Sequence, residues 1–135
     1  MNPLFPKWIR RRFPLLLLAY VELLRVDMQL AFRGFPSVHA RVRNFERREQ
    51  PLNPRTTDEV CRSVDIACVL YFKEVRCLQR SAATTCLLRE HGVRAQMVIG
   101  VQQWPFRAHA WVEVEHRIVN DKSYMTEIYG VMERC

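Results

Sequence analysis

At residues 77–100 the sequence reads CLQRSAATTCLLREHGVRAQMVIG, and its hydrophobic spacing changes at Gly92. Before this glycine, Leu78, Ala82 and Cys86 recur every four residues, which predicts a helix that begins near Cys77 and ends at the glycine. After the glycine, apolar and polar residues alternate over 93–99, which predicts a strand. The fold class depends on this junction between a helix and a strand.

The flanking segments extend the pattern in both directions. Upstream, one helix includes the Leu-rich residues 13–21 and ends at Gly34, a second covers about 38–49, and a third starts at Thr57. Downstream, residues 108–115 alternate again, and residues 117–121 return as a paired strand. Helices followed by strands indicate an α+β fold, with N-terminal helices preceding a small antiparallel sheet.

The first helix has an alternative interpretation, because its basic start and apolar run imitate a signal peptide. Glu22, Arg25 and Asp27 follow the apolar run directly, and the run is far shorter than the roughly 20 residues that cross a bilayer. We therefore predict a core helix without stable membrane insertion, and keep peripheral membrane contact as the minor alternative. The predicted buried face includes Leu17 and Met28, and the predicted solvent face includes Glu22.

The net charge of +7 is confined to the N-terminal part of the chain. Residues 1–55 contain eleven basic and four acidic side chains, whereas residues 56–135 are neutral. We expect one compact domain with a basic helical N-terminal region, 1–55, and a core, 56–135. The basic clusters, such as Arg10-Arg11-Arg12, are interpreted either as a solvated helix face or as a docking surface for an acidic partner. No nucleic-acid-binding motif accompanies them, so no nucleic-acid partner is expected.

The cysteine pattern indicates free thiols. Five cysteines are present, no two of them form a C-x-x-C pair, and none clusters with histidine at zinc-finger spacing. Neither a metal site nor another cofactor is predicted. An odd number of cysteines without a convincing export signal favours reduced thiols in the cytoplasm.

Three residues together suggest nucleophilic catalysis. Cys77 lies at the predicted start of a helix, where unpaired N–H groups and the positive end of the dipole favour a thiolate. His109 lies on a strand, out of phase with its apolar neighbours, and Asp121 lies on the strand predicted to pair with it. A cysteine, a histidine and an orienting carboxylate form the recurring triad of acyl transfer. The alternatives are a buried small hydrophobe, a sheet histidine and a turn residue, respectively.

The turn after the histidine strand limits this prediction. A two-residue hairpin turn would place His109 and Asp121 on opposite faces of the sheet. We therefore expect a loop with an odd number of residues, for instance Val114 to His116, or a bulge at the Asp121 end. Trp111 shares the face of His109 and is predicted either to form a wall of the substrate cleft or to pack within the sheet.

Several segments resemble the leader peptidase of lasso-peptide biosynthesis, in the form of the stand-alone peptidase half of the split maturation protein, a transglutaminase-like cysteine peptidase. The similar segments are Cys77-Leu-Gln-Arg-Ser81, Leu87-Leu-Arg-Glu-His-Gly-Val93, Val98-Ile-Gly-Val101, Pro105-Phe-Arg-Ala-His-Ala-Trp-Val-Glu113 and Val119-Asn-Asp121. The resemblance covers about residues 60–124. It implies a transglutaminase/papain-like catalytic core at 56–135, with Cys77 as nucleophile, His109 as base and Asp121 as orienting acid. One departure is His116-Arg117, where the family often has a glycine turn.

The resemblance also implies a function and partners. It points to a bacterial cytoplasmic enzyme that removes the leader from a ribosomally synthesised lasso-peptide precursor, a step of antibiotic biosynthesis. A separate leader-recognition protein and an ATP-dependent lasso cyclase are the expected partners. The alternatives are a transglutaminase-like acyl transferase, which uses the same triad, and an inert peptide-binding scaffold whose basic half docks an acidic partner.

Overall fold

A computed structural model describes residues 7–49 and 54–135, with side chains at 14–49 and 55–135. The elements in chain order are α1 (Lys7–Arg33), α2 (Phe35–Asn44), α3 (Pro54–Leu70), α4 (Cys77–Glu90), β1 (Ala95–Gln103), β2 (Phe106–Val114), β3 (Arg117–Ile118), α5 (Met125–Ile128) and β4 (Gly130–Arg134). The strands form one antiparallel sheet in the order β3-β2-β1-β4. The predicted α+β architecture is confirmed.

All four long helices and the sheet contribute to one apolar core. Each buried Val or Leu side chain contributes about 1.5–3 kcal/mol by leaving water. The fully buried side chains of this core include Leu23 and Val26 of α1, Val38 and Val42 of α2, Val60 and Val64 of α3, Leu87 and Leu88 of α4, and Met97 and Val112 of the sheet. The N-terminal helices therefore pack against the same core as the sheet.

The buried face of α1 differs from the predicted one. Leu17 and Met28 are 55% and 50% exposed, whereas Leu23 is fully buried, and Glu22 and Asp27 are only 4% and 5% exposed. The prediction failed because apolar periodicity ignores partners that come from distant segments. Arg41 of α2 donates a 2.6 Å hydrogen bond to Glu22, which offsets the cost of burying that carboxylate.

The structure does not test the predicted role of the basic cluster at the start of α1. Arg10, Arg11 and Arg12 lie in α1, but their side chains fall outside the described ones. Their interpretation as a docking surface therefore stays a prediction. Among the helices of residues 7–49 and 54–135, none combines the length and the apolar character needed to cross a bilayer.

The turn between β2 and β3 corrects the expected loop. Val114 pairs with Arg117, so only Glu115 and His116 connect the strands. Both residues have positive φ angles, 51° and 63°, as a two-residue type I′ turn requires. The predicted three-residue loop from Val114 to His116 is wrong, because two residues other than glycine adopt the left-handed conformation.

Candidate active site

The nucleophile candidate opens helix α4. Cys77 is the first helical residue, and Arg76 before it is extended, with φ −91° and ψ 168°. The predicted helix start is confirmed. The first N–H groups of a helix have no carbonyl acceptor within it, so the backbone at Cys77 points hydrogen-bond donors away from the helix. Cys77 itself is half-buried.

A side-chain relay from α1 holds this helix start. The Arg76 N–H donates to Gln79 Oε1 over 2.9 Å, and Gln79 Nε2 donates to Asp27 Oδ1 over 2.9 Å. An ionised carboxylate only accepts hydrogen bonds, so Asp27 dictates which end of the Gln79 amide faces Arg76. A residue 52 positions away in sequence from Gln79 thus orients the cap of the helix that carries Cys77.

Asp27 is kept ionised by the groups around it. The Tyr71 hydroxyl donates to Oδ2 over 2.7 Å, and Lys73 Nζ lies 2.9 Å from Oδ1. Burial raises the pKa of Asp27, but hydrogen bonds from Lys73, Tyr71 and Gln79 lower it, and its pKa falls below the ordinary value. Burial, together with the hydrogen bond to Asp27, raises the pKa of Tyr71.

His109 and Asp121 form a direct pair. His109 Nε2 lies 2.6 Å from Asp121 Oδ2, and the Lys122 N–H donates to Asp121 Oδ1 over 2.8 Å. Because the carboxylate accepts, Nε2 carries the proton, and the lone pair of a neutral ring is on Nδ1. Tyr129 stacks on the imidazole with ring centroids 5.3 Å apart, which fixes the plane of the ring.

The backbone of β2 explains how Asp121 reaches His109 across a two-residue turn. The Val119 N–H still donates to the Val112 carbonyl, but the Val112 N–H donates to the side-chain Oδ1 of Asn120 over 2.7 Å. The backbone ladder therefore stops at Asn120, in place of the expected bulge. Released from the ladder, the next residue, Asp121, turns to the face of His109.

Asn120 is anchored on a second side. Its Nδ2 donates to Ser81 Oγ over 3.1 Å, and Ser81 in turn donates to the Ala110 carbonyl over 3.0 Å. Asn120 and Ser81 are both buried. These bonds connect the three segments that carry the candidate catalytic groups. Ser81 is one helical turn after Cys77, Ala110 follows His109, and Asn120 precedes Asp121.

Cys77 and His109 line a common cleft of about 180 Å³. The other lining residues are apolar: Phe35, Leu78, Ile99, Ala108 and Ala110. The structure thus brings Cys77 and His109 to one cavity and Asp121 to the far side of the imidazole. Phe35, at the start of α2, was not predicted as a site residue, because nothing in the local sequence relates that helix to the cleft.

Trp111 does not line this cleft. It is fully buried beside Val98 and Met125, with its ring centroid 6.1 Å from that of His109. Gly100 makes room for the indole, since a Cβ there would lie 2.6 Å from Trp111 Cη2. This placement favours the alternative role of Trp111 in sheet packing, in which the indole ring lies beside the imidazole of His109.

Burial affects the thiols of the other four cysteines. Burial raises the pKa of Cys61 to about 12 and that of Cys86 to about 12, and it also raises the pKa of Cys68 and Cys135. All five thiols are free. Within the described residues, no three histidine, cysteine or carboxylate side chains are grouped as a metal site.

The family model described as the transglutaminase-like superfamily matches residues 21–134. The chain is 38% identical over 56 residues to the Microcin J25-processing protein McjB of Escherichia coli, an alignment that covers 42% of this chain and 27% of that relative. The aligned stretch thus spans about a quarter of the relative's length. No solved structure matches the chain.

Proposed function

Since the chain belongs to the transglutaminase-like superfamily, we propose that it is a cysteine peptidase that removes the leader from a ribosomally synthesised lasso-peptide precursor. One observation carries the proposal: Cys77 and His109 line a single cleft, and Asp121 lies 2.6 Å from the far nitrogen of His109. The motifs shared with lasso leader peptidases support it. So does a relative named for processing microcin J25.

The first half of the reaction forms a thioester. His109 Nδ1 accepts the Cys77 thiol proton, and the thiolate sulfur forms a bond to the scissile carbonyl carbon. The resulting oxyanion accepts a hydrogen bond from the Cys77 backbone N–H, which has no acceptor among the described residues. The C–N bond then breaks, His109 gives the proton to the leaving amine, and the core peptide departs with a free N-terminus.

The second half releases the leader. His109 accepts a proton from water, whose oxygen attacks the thioester carbonyl, and the C–S bond breaks as the sulfur recovers the proton. The leader leaves as a carboxylate. Asp121 acts throughout by holding the Nε2–H tautomer and by stabilising the imidazolium that forms twice in the cycle. A transglutaminase-like acyl transfer differs only in the second half, where an amine replaces water.

The expected partners are part of the proposal. A leader-recognition protein would supply binding energy that orients the scissile bond, because the cleft of about 180 Å³ accommodates only a few residues of a peptide. A lasso cyclase that uses ATP would consume the new N-terminal amine. We place this sequence of reactions in the cytoplasm, where free thiols persist.

The decisive experiment is mass spectrometry of the precursor peptide after incubation with this protein, the leader-recognition protein and the cyclase. We expect a free leader carboxylate with the wild type, none with Cys77→Ala, and normal cleavage with the matched variant Cys68→Ala. Unimpaired cleavage by Cys77→Ala would overturn the peptidase proposal in favour of an inert scaffold. An amine adduct of the leader in place of the carboxylate would establish acyl transfer instead.

A further inference from the structure

One edge of β2 is only partly covered by β3. Strand β2 is nine residues long, yet β3 is a two-residue strand that pairs only with Glu113 and Val114. Along this edge, the Val112 N–H donates to the Asn120 side chain and the Val112 carbonyl accepts from the Val119 N–H. The Ala110 carbonyl accepts from the Ser81 hydroxyl. Toward the beginning of β2, this edge continues into the cleft.

The backbone of Ala108 is the next hydrogen-bonding position on this edge. In an antiparallel strand, alternate residues direct both their N–H and their C=O to the same side. Val112 and Ala110 direct theirs away from β1, and the register of β1 with β2 is regular throughout, so Ala108 does the same. Within the described residues, no hydrogen bond occupies either group.

Ala108 is also next to the reacting groups. It is exposed, and it lines the same cleft as Cys77 and His109. A peptide that occupies this cleft therefore lies beside the Ala108 backbone. An unpaired strand edge is a template for another extended chain, and proteins normally cover such edges.

We propose that the free edge of β2 at Ala108 binds the precursor peptide as an added strand, with the Ala108 N–H and C=O pairing with peptide backbone groups beside the scissile bond. This inference rests on the proposed peptidase function and specifies how the substrate is held. The binding fixes the peptide in an extended conformation with its carbonyl at Cys77. Because backbone hydrogen bonds do not depend on the side chains of the peptide, this edge can position any extended peptide. Selection of the leader is then the role of the recognition protein.

The test is Ala108→Pro, which removes the N–H. Proline is tolerated where a strand N–H points away from the sheet. The comparison variant is Ala108→Val, which keeps the N–H and has a similar volume. We expect kcat/KM for leader removal to be about tenfold lower for Ala108→Pro than for Ala108→Val, a loss consistent with one hydrogen bond. Both variants should melt at the wild-type temperature.

A second measurement covers the case in which Ala108→Pro unfolds. Synthetic precursors with a single N-methylated amide at successive positions on either side of the scissile amide, which itself is left unmodified, should be cleaved normally by the wild type except at the amide that pairs with the Ala108 carbonyl. Equal rates for the two Ala108 variants, or cleavage that tolerates every N-methyl position, would overturn the inference alone. A wild type that cleaves no precursor would overturn the proposed function on which it rests.

Discussion

Gln79 Nε2 donates a 2.9 Å hydrogen bond to Asp27 Oδ1, so a buried carboxylate of α1 fixes the amide that caps the helix of Cys77. The helix start is thereby defined by a residue that belongs to the N-terminal part of the chain. Asp27 is consequently a positioning residue for the candidate nucleophile, and its substitution should affect both stability and turnover.

Asp27→Asn should destabilise the protein by about 2–3 kcal/mol at pH 7, because hydrogen bonds to a buried charge are lost. The lowered pKa of Asp27 sets the pH dependence: its contribution is complete above the ordinary value of 3.8 and is lost as the pH falls through the lower folded-state pKa. The difference in the free energy of unfolding between wild type and variant, measured in urea, should therefore narrow below pH 3.8.

Asp58 provides the control for that substitution. Its carboxylate is exposed, so Asp58→Asn removes a negative charge without changing the buried polar contacts. In leader-removal assays, Asp27→Asn should lower kcat more than it raises KM, because it disturbs the nucleophile and leaves the cleft walls in place. An Asp27→Asn variant as stable as Asp58→Asn at pH 7 would contradict the positioning role.

Asp121→Asn should lower kcat by up to about 10⁴, because an amide in this position no longer enforces the Nε2–H tautomer of His109. The measurement is single-turnover leader removal followed by mass spectrometry. The melting temperature should change little, since Asp121 lies beyond the end of the backbone ladder and asparagine is isosteric with aspartate. A decrease smaller than about tenfold would count against the role assigned to Asp121.

Alkylation should distinguish Cys77 from the buried cysteines. With a pKa of about 12, the thiols of Cys61 and Cys86 are ionised to only about one part in 10⁴ at pH 8. Iodoacetamide at that pH should therefore modify the partly exposed Cys77 before either buried thiol, as seen by peptide mass mapping, and leader removal should be lost in parallel. Prior modification of either buried cysteine with full retention of Cys77 would contradict the described burial.

The Glu115–His116 turn offers a stabilising change away from the cleft. Two residues other than glycine hold φ angles of 51° and 63° there, where Asn-Gly is the preferred pair. The double substitution Glu115→Asn, His116→Gly should raise the free energy of unfolding by about 1 kcal/mol. Thermal and urea unfolding measure it, and a lower stability of the double variant would show that the turn is not type I′.

The sequence predicted the features that depend on local spacing. The start of α4 at Cys77 and the strand that carries His109 follow from apolar periodicity and from the glycine at the end of a helix. The superfamily is also confirmed by the match over residues 21–134. Boundaries were less accurate: the second helix, predicted over about 38–49, spans Phe35–Asn44.

The features that were missed depend on distant contacts. The burial of Asp27 required Tyr71, Lys73 and Gln79, none of which is near it in sequence. The short helix α5 and strand β4 carry too few residues for a periodic pattern, and β4 is specified by its pairing with β1. The approach of Asp121 to His109 depended on a side chain, Asn120, replacing a backbone partner.

Gly100 restricts how the protein can change in evolution or in the laboratory. A Cβ at this position would overlap Trp111 Cη2 at 2.6 Å and Tyr129 Cβ at 2.8 Å, and both rings contact His109. A larger residue at position 100 is therefore expected to require both a smaller side chain at 111 and a shift of the backbone at Tyr129, because every residue except glycine carries a Cβ there. Positions 100 and 111 should therefore covary among relatives and form a single unit of substitution in directed evolution.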